Sequence, residues 1–236
     1  KAIRRQRQMC IRDRGIADPE RKKLYIKLLS DTWEIADQAR LLQLDDISTR
    51  YYHDVRKKRT QDLAAYNTNV LMHILESFND DLAVSGLLSD SNIDAVLKRH
   101  EDTQKFMFLQ TWSNSYWTTE DEADAQGMLK SELIPVNDLC LFTSAVMLSL
   151  MECFDLRKLM WLLDAYQHGN VYVSQRALIG IVFALHIHTH RLDLYPEIAN
   201  RLKLLNEENS FDEDLVRIYR QLLLCQETEK IDKKMR

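Results

Sequence analysis

Two stretches of this chain, residues 139–151 and 177–190, contain no aspartate, glutamate, lysine or arginine, and they constrain the fold more than any other feature. If either stretch is helical, apolar side chains lie on nearly every side, and such a helix must be covered on several sides. Both stretches are shorter than the roughly 20 residues that a membrane-spanning helix needs. The sequence therefore predicts two helices buried in a folded core, and no transmembrane segment.

The segment between these stretches predicts a shorter helix on the outside of the core. Leu156–Tyr166 carries its apolar residues on one face, and the pair Gly169 and Asn170 breaks the pattern after it. Breakers are otherwise scarce, since the 236 residues include 5 Gly and 3 Pro, well below the roughly 7% and 5% that are usual. This composition favours an all-α fold.

Helix starts in the second half of the chain are marked by capping residues and prolines. Thr119 with Glu122, and Ser210 with Glu213, have the spacing of a capping box, in which each side chain accepts a hydrogen bond from a backbone amide of the first turn. Two prolines mark further starts, at Pro135 and Pro196. We therefore predict helices over residues 120–133, 136–153, 156–166, 172–189, 195–205 and 211–225.

The first half of the chain is also predicted to be helical, with less regular spacing of its apolar residues. Asp18 and Pro19 are the residue types expected at a helix cap and a first helical position. In chain order, we predict a helix at 19–44, one long helix or two at 46–78, a turn at 79–81, a short helix at 82–88 and a further helix capped at 89–90.

A shift of 38 residues brings the two helix pairs of the second half into register and matches apolar residue with apolar residue. The matched pairs are Leu139 with Ala177, Leu141 with Ile179, Val146 with Ala184, and Met147 with Leu185. A helix pair that recurs at about this length is typical of an α-solenoid, in which stacked pairs share one continuous core. A non-repeating helical bundle is the alternative, because apolar helices match one another easily.

The same segment resembles a known repeat family. Residues 156–185 hold an outer helix, a tight turn and an inner helix that opens with Val-x-x-Arg-Ala at 173–177, as a HEAT-type repeat does. The chain as a whole resembles part of the large bacterial tetratricopeptide-repeat proteins. It departs from them in its spacing of 38 rather than 34 residues and in lacking the pattern Trp-x-x-Leu-Gly-x-x-Tyr. The resemblance covers roughly residues 120–225 and implies a binding scaffold without catalytic residues.

We therefore predict an all-α superhelix of antiparallel helix pairs, a solenoid with an irregular N-terminal helical part. Residues 17–117 form the N-terminal segment, and residues 118–230 form the HEAT- or tetratricopeptide-like repeats, continuous with it. The predicted role is a non-catalytic scaffold that binds a protein or peptide, and whose other partners are the remaining repeats of a longer bacterial parent chain. If such repeats are missing, an apolar helix face is expected to be exposed at one or both ends.

Residues 1–16 are predicted to be non-native or disordered. Met9 to Arg14 is what a transposon end used in preparing sequencing libraries would encode, so this segment resembles a read-through adapter. The competing interpretation is a basic arm for nucleic acid or an acidic membrane. Residues 1–16 carry six basic and one acidic side chain, which leaves 26 basic and 35 acidic residues and a net charge of −9. A body of that charge repels phosphate backbones.

Cysteine usage points to a reducing compartment. Cys10, Cys140, Cys153 and Cys225 show no Cys-x-x-Cys spacing, and two of them lie in apolar helical sequence. They are predicted to be small buried residues rather than disulfides. Because no secretory signal peptide is visible, we predict a cytoplasmic location.

Histidines at the end of the second buried stretch are the strongest candidates for a metal site. His186 and His190 are four residues apart, so on a helix their imidazoles would share a face, with Asp155 or Asp193 as a third donor. The pattern His-Glu-x-x-His is absent, and histidines are also favoured at a helix C-terminus without any metal. We predict no metal ligand and no cofactor.

The basic run Arg56, Lys57, Lys58 and Arg59 offers an alternative function, a nucleic-acid or phosphate-binding helical module. Four consecutive residues fan around a helix and cannot form one stripe, so a solvated surface is the favoured interpretation.

Other polar and aromatic groups have structural interpretations. The acidic residues 120–122 open a helix, where the helix dipole stabilises carboxylates without a cation. Trp112, Tyr116 and Trp117 could form a ligand platform, but packing between helix pairs is favoured. No nucleophile elbow, phosphate loop or dinucleotide fingerprint is present, so the chain is not predicted to be an enzyme.

Overall fold

A computed structural model describes residues 19–58, 68–88, 90–208 and 210–235, and all regular secondary structure in these ranges is helical. The prediction of an all-α chain is thus confirmed for the described residues. The helices are α1 Pro19–Ile47, α2 Tyr51–Lys58, α3 Thr68–Leu88, α4 Asp90–Ser113, α5 Thr119–Lys130, α6 Val136–Glu152, α7 Leu156–Tyr166, α8 Val171–Ile187, α9 Pro196–Glu208 and α10 Phe211–Met235, with a 3-10 segment at Thr189–Leu194 before α9.

By mutual contact, the chain divides into a unit that ends at Leu41 and a second unit, Leu42–Arg236. This boundary falls inside α1. The predicted junction between residues 117 and 118 lies within the second unit, which contains all helices from α2 onward. Residues 1–16, which the sequence marks as an adapter or a basic arm, lie outside the described residues.

The helix starts of the second half agree with the prediction to within one residue. One cap is different, since Thr118 rather than Thr119 closes the capping box of α5. Its hydroxyl accepts a hydrogen bond from the Asp121 amide at 3.1 Å, and the Asp121 carboxylate accepts one from the Thr118 amide at 2.8 Å. The adjacent Trp117 is buried, and its amide donates to Asp155, so the chain enters α5 one residue early.

The predicted turn at 79–81 is wrong, because α3 runs without a break from Thr68 to Leu88. Asn79 and Asp80 are exposed, whereas Leu75 and Ser85 on either side are buried. Asn79 and Asp80 therefore lie on the solvent face of a long helix, whereas the half-buried Asp81 bonds to Ser77 of the same helix and to Arg99 of α4. Whether residues 46–78 form one helix or two depends partly on residues 59–67, which the structure does not describe. In the described residues, helices α1 and α2 are separated by a break at residues 48–50.

Within the second unit the helices contact one another in two rows. Helices α4, α6, α8 and α10 touch in that order, and so do helices α3, α5, α7 and α9. The rows are joined where α3 meets α4, α7 meets α6 and α8, and α9 meets α10, while α2 packs on α4. Alternate helices of the chain are thus neighbours in space.

The core lies between these rows, and the two charge-free stretches form its centre as predicted. In α6 and α8, side chains on several faces are buried, among them Phe142, Val146, Ile181 and Ala184. A Cβ atom added at Gly180 would lie 3.0 Å from Leu162 Cδ1 and 3.2 Å from Met147 Cβ, so glycine permits α8 to approach both α7 and α6.

Aromatic side chains pack in the same core. Trp117 and Phe142 stack at 6.4 Å between ring centroids, and Trp161 meets both rings edge to face. The indole nitrogen of Trp161 donates to the Ala125 carbonyl at 2.9 Å, which satisfies the one polar atom of that ring. Trp112 packs against Tyr52 instead. These tryptophans therefore join helices, as expected.

None of the described helices combines the length and the apolar composition needed to cross a bilayer. Cys140 and Cys153 are buried free thiols, in agreement with the prediction, whereas Cys225 is exposed; Cys10 lies outside the described residues.

Candidate interaction surface

A cavity of the second unit lies between α8, α10 and the turn that precedes α8. Its volume is about 470 Å³, within the range typical of ligand sites. We call it the α8–α10 groove, and it is lined by Tyr166, His168, Gly169, Val171, Ser174, Gln175, Leu178, Ile179, Asp214, Arg217 and Ile218. Five of the eleven lining residues are Gly, Val, Leu or Ile, and the other six carry polar or charged groups, so the groove offers both kinds of contact to a ligand.

Caps at the starts of two helices fix the shape of this groove. Asn170 caps α8 by accepting a hydrogen bond from the Tyr172 amide at 3.0 Å, and its own amide donates to His168 Nδ1 at 3.0 Å. Phe211, the first residue of α10, is buried and meets the ring of Tyr166 edge to face at 5.0 Å. The starts of α8 and α10, which border the groove, are thus each fixed by a contact with a neighbouring residue.

Three residues that line the groove are linked to one another by polar contacts. The Tyr166 hydroxyl donates to Asp214 Oδ2 at 3.0 Å, and Arg217 Nη1 lies 3.2 Å from Asp214 Oδ1. Burial, together with the neighbouring Asp214 carboxylate, raises the pKa of Tyr166 to about 12. The phenol therefore remains a hydrogen-bond donor at neutral pH, and Asp214 is already paired on both oxygens.

Exposed apolar side chains lie at the rim of the groove. Val171 and Ile179 line it and are exposed to solvent, and Tyr172 beside them is exposed as well. Single exposed apolar residues are common, but several beside one cavity are typical of a surface that binds another molecule.

A second, smaller cavity of about 210 Å³ lies between α2 and α4. It is lined by Tyr51, Asp54, Val55, Lys58, Lys105, Phe106 and Leu109. Two lysines and one aspartate line it, so this cavity is the more basic of the two.

The basic run of α2 does not act as one unit. Arg56 is half-buried, donates from Nε to Asp45 at 3.1 Å and also hydrogen-bonds to Ser115. Lys57 and Lys58 are exposed, and Arg59 lies outside the described residues. The alternative of a nucleic-acid or phosphate module therefore depends on Lys57, Lys58 and Arg59, and it stays a prediction.

The histidines of the second charge-free stretch lie apart from one another. Helix α8 ends at Ile187, so His190 lies in the following 3-10 segment rather than one helical turn beyond His186. His188 is buried, and its Nε2 lies 2.7 Å from the Leu150 carbonyl oxygen. The candidate third donor Asp155 accepts hydrogen bonds from the Trp117 and Arg157 amides.

Across the described parts of the chain, no group of three or more His, Cys, Asp or Glu side chains has an arrangement that could hold a metal ion. Residues 120–122 lie in the first turn of α5, where Asp121 serves as the capping carboxylate. The absence of a metal site, a cofactor and an enzymatic activity stays a prediction.

The sequence did not predict the buried ionic cluster formed by Lys158 of α7 and its partners. The Lys158 ammonium is fully buried; it hydrogen-bonds to the Asn114 carbonyl and to Ser149 Oγ at 2.9 Å, and lies 4.0 Å from Asp155 Oδ2. Burial raises the pKa of Asp155, and the nearby Lys158 opposes this shift. The signal available in the sequence is a lysine that shares a helix face with Trp161, Leu162 and Ala165.

A second missed cluster joins α4 to α6. The fully buried Asp138 carboxylate accepts a hydrogen bond from Gln104 and lies 3.2 Å from His100 Nε2. Burial raises the pKa of Asp138, while Gln104 and His100 lower it in part. The ring of His100 also stacks on Phe78 at 3.6 Å, so this cluster links α3, α4 and α6. Both clusters are enclosed by helices, which suits them to structural roles.

Comparison of the chain with known protein families, with curated proteins and with solved structures yields no match.

Proposed function

We propose that this protein is a non-catalytic interaction scaffold of the α-solenoid type, and that it binds a peptide or an exposed segment of a partner protein in the α8–α10 groove. The observation that carries the proposal is the 470 Å³ groove with its exposed apolar rim, formed between successive helices of one row. A groove between stacked helices is where α-solenoids bind extended partners.

Contacts that recur at one sequence separation support the solenoid. Trp117 with Asp155, Gln126 with Asp164, and His188 with Leu150 are hydrogen-bonded pairs whose members are 38 residues apart. If successive helix pairs are related by one repeated displacement, equivalent residues of neighbouring pairs lie side by side. Contacts at the repeat length are then expected, whereas a closed bundle does not favour any single separation.

A chain of polar contacts runs along the second row in the same way. Gln126 of α5 donates to Asp164 of α7 at 2.8 Å, and Asp164 accepts from Arg201 of α9 at 2.6 Å. The two steps are 38 and 37 residues long. One position per helix thus contacts its equivalent in the next helix, as nearest-neighbour stacking requires.

Binding in the groove would use its two kinds of surface separately. The apolar walls formed by Leu178, Ile179 and Ile218 can cover one apolar side chain of a peptide, which removes that side chain from water. Gln175 and Arg217 lie on the same walls and offer donors to peptide carbonyl or carboxylate groups. We therefore expect an anchor residue in the groove and weaker contacts outside it.

Selection from an unbiased random-peptide library on the immobilised protein tests this function. We expect enriched peptides whose affinity falls by about tenfold or more in the variant Ile179→Asp, the effect of losing one anchor contact. The matched control is Val84→Asp, which also places a carboxylate at an exposed apolar position of a helix, here α3, outside the groove. Peptides that bind both variants as tightly as the original protein would contradict the proposal.

A further inference from the structure

The last described helix, α10, carries an apolar stripe that is open to solvent. Val216, Tyr219 and Leu223 follow one another at intervals of three and four residues, so they lie on one face. They are 51%, 37% and 42% exposed. Helix α10 packs on both α8 and α9, and the Tyr219 ring lies 5.7 Å from the ring of His186 of α8. We call these three residues the α10 stripe.

The equivalent positions of the preceding helices of the row are covered. A shift of 38 residues places Val216 on Leu178 and Tyr219 on Ile181 of α8, and both of these are buried. A second shift leads to Cys140 and Thr143 of α6, which are buried as well. Val216 and Tyr219 therefore occupy positions that are buried in the two previous helices of this row. The equivalents of Leu223, which are Leu185 and Met147, are half-buried.

The far half of α10 has no cover from the described chain either. From Leu223 to Lys234, every side chain that is described is exposed. Helices in proteins owe most of their stability to packing of one face rather than to propensity. A helix of this length thus has a face available for a partner along most of its extent.

Polar residues continue the line of the α10 stripe at both ends, and their charge is negative before the stripe and positive after it. Asp212 precedes it, and Gln226 and Lys230 follow it, with the alternating three- and four-residue spacing of a helix-pairing seam. The first turn of α10 is acidic, and its last turn is basic. A second α10 helix in antiparallel orientation is complementary to this pattern, whereas a parallel one would bring like charges together.

The register of such a pair follows from the spacing. If the two-fold axis passes Gln221, Tyr219 of one copy faces Leu223 of the other, and Val216 faces Gln226. The same register brings Asp212 opposite Lys230, and every contact occurs twice because the interface is isologous. Apolar contacts then lie at the centre and ion pairs at both ends.

We propose that this chain forms an antiparallel dimer through α10, with the α10 stripe at the centre and Asp212 paired with Lys230 of the second copy. The inference does not depend on the α8–α10 groove, since none of these residues lines it.

Sedimentation equilibrium over a range of concentrations, with reductant present because Cys225 is an exposed thiol, tests the dimer. We expect a dimer that dissociates on dilution, and Leu223→Glu should weaken it by about tenfold or more, the effect of losing a central apolar contact. Asp212→Lys and Lys230→Asp should each weaken it, and the variant that carries both changes should recover the original dissociation constant. Glu213→Lys is the control, because it removes an acid of the same helical turn outside the seam.

A chain that sediments as a monomer at every concentration would overturn the proposal. The α10 stripe would then be expected to pack against a helix pair of another protein or of a longer parent chain. A dimer that is insensitive to Leu223→Glu, or charge variants that do not compensate each other, would also overturn it.

Discussion

At the scale of single residues, the buried Lys158 ammonium carries the clearest energetic consequence. It is surrounded by the Asn114 carbonyl, the Ser149 hydroxyl and the Asp155 carboxylate, and it lies 5.8 Å from the centre of the Trp117 ring. Its partners are already desolvated in the folded state. If the ammonium is removed, the buried carboxylate, carbonyl and hydroxyl lose the partner that compensates their desolvation.

We therefore predict that Lys158→Ala lowers the free energy of unfolding by about 3–5 kcal/mol, the cost of breaking a buried ionic contact on one side. Urea unfolding followed by circular dichroism measures it. The control is Lys203→Ala, which removes a lysine from an exposed helical pair with Glu207 and should change stability by less than about 0.5 kcal/mol. Equal effects of the two substitutions would contradict this role of Lys158.

Two glycines within helices should respond to alanine in opposite directions. Gly180→Ala places a methyl group 3.0 Å from Leu162 and 3.2 Å from Met147, so overpacking should destabilise the fold by about 1–3 kcal/mol. Gly127→Ala meets only Met72 Sδ at 3.6 Å, an ordinary contact, and should stabilise the protein by about 0.5–1 kcal/mol through helix propensity. Thermal unfolding of both variants measures the difference, and a stabilising Gly180→Ala would be inconsistent with the close approach of α8.

None of the residue-scale clusters could be located from the sequence. The Asn114 carbonyl and Lys158 are 44 residues apart, and Gln104 and Asp138 are 34 apart. Only the packing of helices brings them together, so a pattern along the chain identifies at most one unusual residue, such as a lysine on an apolar face. The same limit applies to the groove, whose lining comes from α7, α8, α10 and a turn.

At the scale of elements, the hydrogen bond from Tyr166 to Asp214 ties α7 to α10. The pKa of Tyr166 is raised to about 12, above the value of about 10 for a tyrosine in an unfolded chain. The folded state therefore holds this proton more tightly. The stabilisation is complete below about pH 10 and is lost as the pH rises through about 12.

Tyr166→Phe should accordingly lower the free energy of unfolding by about 1 kcal/mol at pH 8, the net value of one hydrogen bond, and by less at pH 11. Urea unfolding at the two pH values measures both differences. Tyr172→Phe, at an exposed position of α8, is the control and should have little effect. A cost that grows between pH 8 and pH 11 would contradict the assignment of the phenol as donor.

Helix starts could be predicted from the sequence where a proline or a Gly-Asn pair marks them. The prediction failed where polar residues typical of a turn lie inside a helix. Pro135, the Gly169 and Asn170 pair, and Pro196 all lie directly before or at a helix start. The polar residues at 79–81 have turn composition but lie inside α3, where Asn79 and Asp80 face solvent, and composition alone does not separate these cases. The helix predicted over 172–189 ends at Ile187, and the chain continues as a 3-10 segment from Thr189, so His190 is not on the helix that carries His186.

At the scale of the whole molecule, stacking in two rows has a consequence for truncation. If each helix pair depends mainly on its neighbours, removing residues 210–236 should leave the earlier pairs folded. In a closed bundle, loss of one helix would expose the shared core. The predicted solenoid, the bacterial and cytoplasmic origin, and the role of further repeats of a parent chain stay predictions.

We therefore expect a chain that ends at residue 209 to keep a cooperative unfolding transition and the buried fluorescence of Trp117 and Trp161, both of which lie in the core. Its helical signal should fall only by the share of the residues removed. Tryptophan emission shifted to that of solvent-exposed indole, without denaturant, would contradict the solenoid.

The most direct test of the proposed scaffold is methyl NMR of the protein during titration with a selected peptide. Binding in the α8–α10 groove predicts the largest shifts at the methyl groups of Val171, Ile179 and Ile218, which line it. The methyl groups of Val55 and Leu109, in the cavity between α2 and α4, should not move. Shifts concentrated at Val55 and Leu109, or no shifts at the groove when peptide is in excess, would contradict the proposed function.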